Sequence, residues 1–294
     1  MINDNIGQVN KQMKRRILLD KFARIIFIST MVVVLAILAL LIIRVFIQGF
    51  SVLNISFLTN TLSTQADQAG ILGAILGTLW LMAVVVPTTM IIGVSTAIYL
   101  ECYAKKNRIH SFIQMNIGNL AGVPSIVYGI LGLTVFVRTL ELGNVVLAGG
   151  LTMSLLILPI IIVASQEAIQ SVPATLSEAS YGIGASKWQT IKNIIIPASL
   201  PNILTGAILA LSRAIGETAP LVVIGIPALL IPFPGSLLDR FTVLPMQIYY
   251  WTLDASLVAE YANLAAATII VLLVSLFILN ASAIYLRHKF KVNY

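Results

Sequence analysis

The sequence predicts an all-α membrane protein of six transmembrane helices with both termini in the cytoplasm, and three observations carry that prediction. Of the 294 residues, 59% are hydrophobic and only 10% are charged, against about 25% charged in an ordinary soluble domain. The mean hydropathy is +0.98. The apolar residues gather into six runs, and the basic residues gather between alternate runs. Too few charges exist to cover a soluble surface, so lipid is the solvent this composition fits.

A helix needs roughly 20 apolar residues to cross the hydrocarbon core. The first run is 25–43, bounded by Arg24 and Arg44. It follows a basic stretch, as a signal peptide would. It is too long for a signal core, however, and no small-residue cleavage pattern follows, so it reads as a retained span. The second lies in 68–100, which carries no charge and holds Pro87, a candidate kink. The third lies within 111–137 and the fourth within 142–165, which includes Pro159. The fifth runs from 198 to about 226 and the sixth covers 261–286. The stretch 218–238 is also uncharged, but Pro220, Pro227, Pro232 and Pro234 break it, and a seventh span would place the basic C-terminus outside. It reads as the outer end of span five plus an external loop.

Orientation follows from the basic residues. Fourteen of the eighteen Lys and Arg fall in the N-terminal tail, in the loops after spans two and four, and in the C-terminal tail. The other loops hold Arg138 and Arg240 alone, so the positive-inside rule puts both termini in the cytoplasm. The net charge of +7 is thereby topological and does not imply nucleic acid. The chain divides into a basic tail at 1–24, a membrane domain at 25–286 with a long loop at 166–197, and a C-terminal tail at 287–294.

That loop is far longer than a connection requires. Pro173 suits a first helical turn, residues 174–181 follow, and Gly182 and Gly184 interrupt. Ser186 with Gln189 forms a capping box that opens a second helix, on which Trp188, Ile191 and Ile195 share a face. An exposed apolar face of this kind has something to dock against. Gly184 suits the sharp reversal between the helices.

Within the loop, Glu178-Ala179-Ser180, then Gly184, then Ile194, Ile196 and Pro197 resemble the "EAA" loop of bacterial ABC importer permeases. The family pattern places Ala where Ser180 stands and Leu where Ile196 stands, with the same spacing. The resemblance implies a type I ABC importer permease fold, a loop that docks into an ATPase subunit, and Glu178, Ala179, Gly184 and Trp188 at that joint.

Arg213 and Glu217 lie inside span five, four residues apart on one helical face. From a start near Ala198, Arg213 falls roughly at mid-membrane and Glu217 one turn outward. Such charges are costly in lipid and face a pathway or a partner. An arginine there suits an anion, because its fork of N–H donors matches tetrahedral oxygens. A structural ion pair that locks span five to a neighbour fits the same residues. The string Ser212-Arg213-Ala214-Ile215-Gly216-Glu217-Thr218-Ala219-Pro220-Leu221, with Pro124-Ser125-Ile126-Val127 and Gly129 in span three and a weaker echo at Leu244-Pro245, resembles phosphate importer permeases, on the PstA side of that family. The resemblance covers approximately 70–290. It implies phosphate as substrate, a PstC-type permease partner, an ATPase dimer, and a phosphate-binding protein on the outer face.

Other features read more plainly. Gly73 and Gly77 form a small-xxx-small pair for helix packing, and Gly122, Gly129 and Gly132 mark close packing or a bend. His110 and His288 stand alone near basic loops, and Trp80, Trp251, Tyr249 and Tyr250 suit packing or interfacial belts. Cys102 is the single cysteine, so no intrachain disulfide, metal cluster or cofactor is implied. No lysine follows a glycine, which excludes a phosphate-loop ATPase motif, and no HExxH or nucleophile elbow occurs, so no catalytic residue is assigned. The alternatives are a permease for sulfate or molybdate, an ion-coupled secondary transporter, or a membrane signalling protein whose loop docks a regulator. No internal repeat supports the secondary transporter.

Overall fold

With no water in the bilayer core, a backbone must satisfy its polar groups internally, and apolar runs of this length do so as helices. A computed structural model describes residues 2–63, 65–227 and 233–289. Among these, twelve α-helices follow one another, and the single β contact is an isolated bridge between Val145 and Arg240. They are α1 (Ile2–Phe50), α2 (Ile55–Thr59), α3 (Leu72–Ile98), α4 (Arg108–Ala121), α5 (Ser125–Gly132), α6 (Val146–Gln170), α7 (Ala174–Gly182), α8 (Lys187–Thr190), α9 (Ile196–Gly216), α10 (Ala219–Ile224), α11 (Leu244–Asp254) and α12 (Glu260–Lys289). Stretches of π-helix extend α3 at Tyr99–Tyr103 and α5 at Leu133–Thr139, and join α8 to α9 at Ile191–Ile195.

Five helical segments are long and apolar enough to cross a membrane, and a bent pair, Arg108–Ala121 with Ser125–Thr139, makes a sixth. The six expected runs are therefore all found, with two corrections. Span three is not one rod: its halves meet at 100°. Pro124 forces extended backbone at the joint, and its φ and ψ of −55° and 136° lie outside the helix. Span five does not run to Ile226. Helix α9 stops at Gly216, Glu217 is extended at φ −77° and ψ 125°, and α10 restarts with Pro220 in its first turn. By contrast α3 runs unbroken through Pro87 and α6 through Pro159.

The basic segment expected as a tail is helical from Ile2 and continuous with span one. At 49 residues, α1 spans about 74 Å, well over twice the hydrocarbon thickness. Of the C-terminal tail, 290–294 lie outside the described residues, as do Met1 and Pro232.

Helix α6 is the centre of the bundle: 67% of its apolar window is buried, against none of that of α1. In lipid, association depends on close van der Waals fit rather than on escape from water, and the α3–α6 contact is built that way. A Cβ on Gly93 would lie 2.6 Å from Ile161, and one on Gly150 would lie 2.6 Å from Val84. Helix α1 touches the bundle along α12, where a Cβ on Gly49 would meet the Ala266–Ala267 backbone at 2.7 Å.

The glycine pair in α3 has a different partner from the one expected. A Cβ on Gly77 would fall on the carbonyl oxygen of Thr242, in a non-helical segment threaded between α3 and α6, and Gly73 faces the Phe233 ring. Leu244-Pro245, expected in an outer loop, opens α11, and its first N–H donates to Thr78 Oγ1 at 3.0 Å. The same segment closes the start of α6, which has no side-chain cap. Val146 N–H donates to the Asp239 carbonyl at 3.0 Å and Leu147 N–H to that of Leu237 at 2.9 Å. Trp251 is a packing residue here, buried against Phe57 with ring centroids 6.2 Å apart.

Candidate functional site

Two places concentrate the residues singled out from the sequence. The first is the connection between α6 and α9. Pro173 stands just before α7, and two residues past its end the chain turns through a left-handed residue, Gly184 at φ +85°. Gly184 N–H returns to the Tyr181 carbonyl at 2.9 Å and Ala185 N–H to that of Ser180 at 3.1 Å, so the helix end is closed by the reversal itself. The capping box is complete. Ser186 N–H donates to Gln189 Oε1 at 2.8 Å, and Gln189 N–H donates to Ser186 Oγ at 3.4 Å.

A further contact fixes the two short helices to one another. The hydroxyls of Ser180 and Thr190 lie 2.9 Å apart, and both residues are buried. Sequence reasoning missed it, although Ser180 in place of the pattern's Ala was its visible sign.

Glu178 and Ala179 are exposed. The apolar face is not the one expected: Trp188 is 57% exposed but Ile191, where a π-helical stretch begins, is fully buried. The open patch consists instead of Tyr181, Ile183 and Trp188, with Ile183 exposed by 87%. Lys187 Nζ stands 4.9 Å over the Tyr103 ring, which ties this patch to the end of span two.

The second place is the break after α9. Arg213 Nε donates to Glu217 Oε1 at 3.1 Å, as the four-residue spacing anticipated. Glu217 reaches it from just beyond the helix, and Arg213 stands in the last turn, where the negative end of the helix dipole favours a cation. The pair is asymmetric: the arginine side chain is 51% exposed and the carboxylate 19%. The guanidinium thus points away from the chain's own core with most of its donors uncommitted. Beside it, Ser212 Oγ lies 2.6 Å from Asn280 Oδ1 and holds α9 to α12. Asn280, one of two amides in the sixth apolar run, was passed over in the sequence.

The two interrupted spans meet. Helix α10 packs along α5, and a Cβ on Gly129 would lie 2.8 Å from Pro220 Cα. Non-helical backbone at membrane depth is tolerated where protein buries it or where it lines a watery cavity. The breaks at 122–124 and 217–218 belong to the two spans that pack together here, α5 with α10. Among the described residues no group of three or more His, Cys, Asp or Glu gathers to hold a metal.

The loop residues expected at the ATPase joint and the charge pair are not brought together, since the whole length of α9 separates them. A rise of 1.5 Å per residue puts Arg213 roughly 35–40 Å along the chain axis from Trp188.

Residues 90–292 match the family model described as "Binding-protein-dependent transport system inner membrane component". The chain is 35% identical over 202 residues to the "Probable ABC transporter permease protein YqgI" of Bacillus subtilis, covering 69% of each. It is 33% identical over 214 residues to the "Phosphate transport system permease protein PstA 1" of Mycobacterium tuberculosis, covering 71% of this chain and 70% of that one. In fold it resembles a chain of a bacterial alginate ABC transporter, with a TM-score of 0.64 and 16% identity over 97% of this chain and 99% of that one.

Proposed function

The chain belongs to the family of binding-protein-dependent transport system inner membrane components, and from that premise we propose that it is the PstA-type permease subunit of an ATP-driven importer of inorganic phosphate. It is a multi-pass membrane permease, and ATP hydrolysis falls to a separate subunit. Its partners on this reading are a PstC-type permease, an ATPase dimer and an extracytoplasmic phosphate-binding protein, with both termini cytoplasmic.

The observation that carries the reading is the half-exposed Arg213, held by Glu217 at a helix break in an otherwise apolar span. Phosphate offers several oxygens to a planar fork of donors. Glu217 occupies one donor and offsets part of the charge, which keeps the anion's stay short. A purely structural pair would be expected to bury the arginine, and it is the carboxylate that is the more enclosed.

The loop at 173–195 supplies the drive. The exposed Tyr181, Ile183 and Trp188 with Glu178 and Ala179 form the face that the ATPase grips, and the Ser180–Thr190 bond makes α7 and α8 move as one piece. Because α8 continues through Ile191–Ile195 into α9, displacement of the loop is passed along that helix to the Arg213 break.

The test is uptake of radiolabelled phosphate into vesicles by the reconstituted four-component complex, with sulfate and molybdate as competitors. ATP-dependent uptake that Arg213→Gln reduces by at least about a hundredfold supports transport and the role of the arginine. Effective competition by sulfate or molybdate would replace the substrate and leave the permease. Uptake driven by an ion gradient without ATP would remove the ABC reading altogether.

A further inference from the structure

Helix α9 has one open stripe. Asn202, Leu209, Arg213 and Gly216 are its exposed residues between 200 and 216, spaced by seven, four and three, so they fall on a single face. Arg213 is therefore the upper member of a line that runs roughly 16 Å along the helix to Asn202. Leu209, exposed by 70%, stands between them.

The lower half of that line borders a groove of about 320 Å³ between α6 and α9. Its floor is narrow, because Gly206 and Ala164 are in contact: a Cβ on Gly206 would lie 2.5 Å from that of Ala164. Its walls carry hydrogen-bonding groups in an apolar setting, Ser171 and Asn202, which are bonded at 3.0 Å, and Thr205. Glu167 also lines it. From α12, Arg287 Nη1 donates to Thr205 Oγ1 at 3.2 Å, and Arg287 makes no ion pair among the described residues. A second guanidinium with donors to spare is thus bonded to the groove wall, at a residue eight positions before Arg213 on α9.

We infer that this groove is the inward half of the anion path, and that Arg287 is its second station, which receives a tetrahedral oxyanion from Arg213. The inference rests on the phosphate-import reading and extends it to the exit side. Arg213 and Arg287 divide the descent into two short steps. The hydroxyls and amide of Ser171, Thr205 and Asn202 replace part of the water that the anion leaves behind. Glu167, a carboxylate in the same groove wall, offsets part of the positive field at the exit, so that the anion does not lodge there. By its charge alone Arg287 would be one more basic residue of the cytoplasmic side. Its bond to Thr205, a residue of the groove wall, is what distinguishes it.

Two measurements test this on the full reconstituted complex. In the first, Arg287→Gln lowers the maximal rate of phosphate uptake about tenfold. It leaves the KM set by outer capture unchanged, and Arg287→Lys recovers more than half of the rate. Wild-type rates for Arg287→Gln would overturn the inference, as would a loss that Lys does not recover, since the latter indicates a packing role. In the second, Leu209→Cys is placed in a Cys102→Ser background and exposed to an anionic methanethiosulfonate reagent. Labelling that inorganic phosphate slows is the expected result. Failure to label would place Leu209 against lipid and overturn the inference. If the unmodified complex imported no phosphate, the function itself would fall, a different outcome from normal import with an unreactive Leu209→Cys.

Discussion

Two glycines in this protein are required for opposite reasons. Gly184, in the loop between α7 and α8, sits at φ +85° with open space where a Cβ would be. Gly77, in the second turn of α3, has ordinary helical backbone, but a Cβ there would fall on the carbonyl oxygen of Thr242. One region is set by the conformation of the chain at that point, the other by what lies against it. The loop holds its shape with contacts between residues three to ten apart, such as the capping box and the Ser180–Thr190 bond. The threaded segment at 239–245 holds its shape with contacts across the bundle, such as Leu244 to Thr78, which are 166 residues apart. The loop's shape is locally determined, and that of the threaded segment is not.

The contrast predicts how each region fails. Gly77→Val sets a branched side chain against backbone that has no rotamer to yield, so it costs about 3 kcal/mol or more. The expected result is loss of monodisperse protein in size-exclusion chromatography. Recovery of a folded, correctly sized protein would show that the threaded segment can move aside. Gly184→Val costs roughly 1–2 kcal/mol, the penalty for an L residue in left-handed backbone, and somewhat more for a branched one. Its effect stays in the loop: membrane insertion persists while co-purification with the ATPase is lost. Normal co-purification would mean that the reversal at Gly184 is not part of the joint.

Thr190→Val sharpens the local side further. It leaves the buried Ser180 hydroxyl without its partner and costs about 1–2 kcal/mol. Adding Ser180→Ala removes the second polar group as well and should return stability close to the starting value. Thermal unfolding of the two single variants and the double variant gives that cycle. Additive losses would show that the hydroxyl pair is not what joins α7 to α8.

The smallest effect belongs to Asp239, in the segment that closes α6. Its carboxylate accepts from the N–H groups of Gly235 and Ser236, both at 2.8 Å. These bonds, that of Gly235 first, hold its pKa below the ordinary carboxylate value. A lowered pKa means that the contribution is complete at neutral pH and is lost only as pH falls through and below the usual carboxylate range. Stability measured from pH 7 down to pH 5 should therefore be flat with respect to this group, and the Asp239→Asn variant should differ from the parent by a constant offset over that window. A difference that changes between pH 5 and pH 7 would assign the loop another anchor.

The same division explains what was legible. The helices of the loop, Pro173 before the first, the Ser186–Gln189 box and the glycine at the reversal were readable because each signal lies within a few residues of the structure it makes. The Arg213–Glu217 pair was readable from its spacing. Its setting was not, since span five was taken to continue through Glu217. Pro220 in the first turn of a restarting helix was the available sign, as Pro124 was for the bend in span three. The exposed apolar face was expected to include Ile191 and Ile195, but Ile191 is buried, and from there the chain turns π-helical, off the period of 3.6 residues on which that expectation rests.

By itself the sequence determined the solvent, the number of apolar runs and the local devices that start and stop helices, because each depends on composition or on near neighbours along the chain. Tertiary structure alone decided that Gly77 meets a threaded backbone and that Arg213 turns outward while Glu217 is enclosed. It also brought Arg287, 82 residues away, to Thr205. In lipid one apolar helix face is chemically much like another, so sequence cannot say which faces meet. The close fit of small residues selects the partners, and that selection aligns the charges.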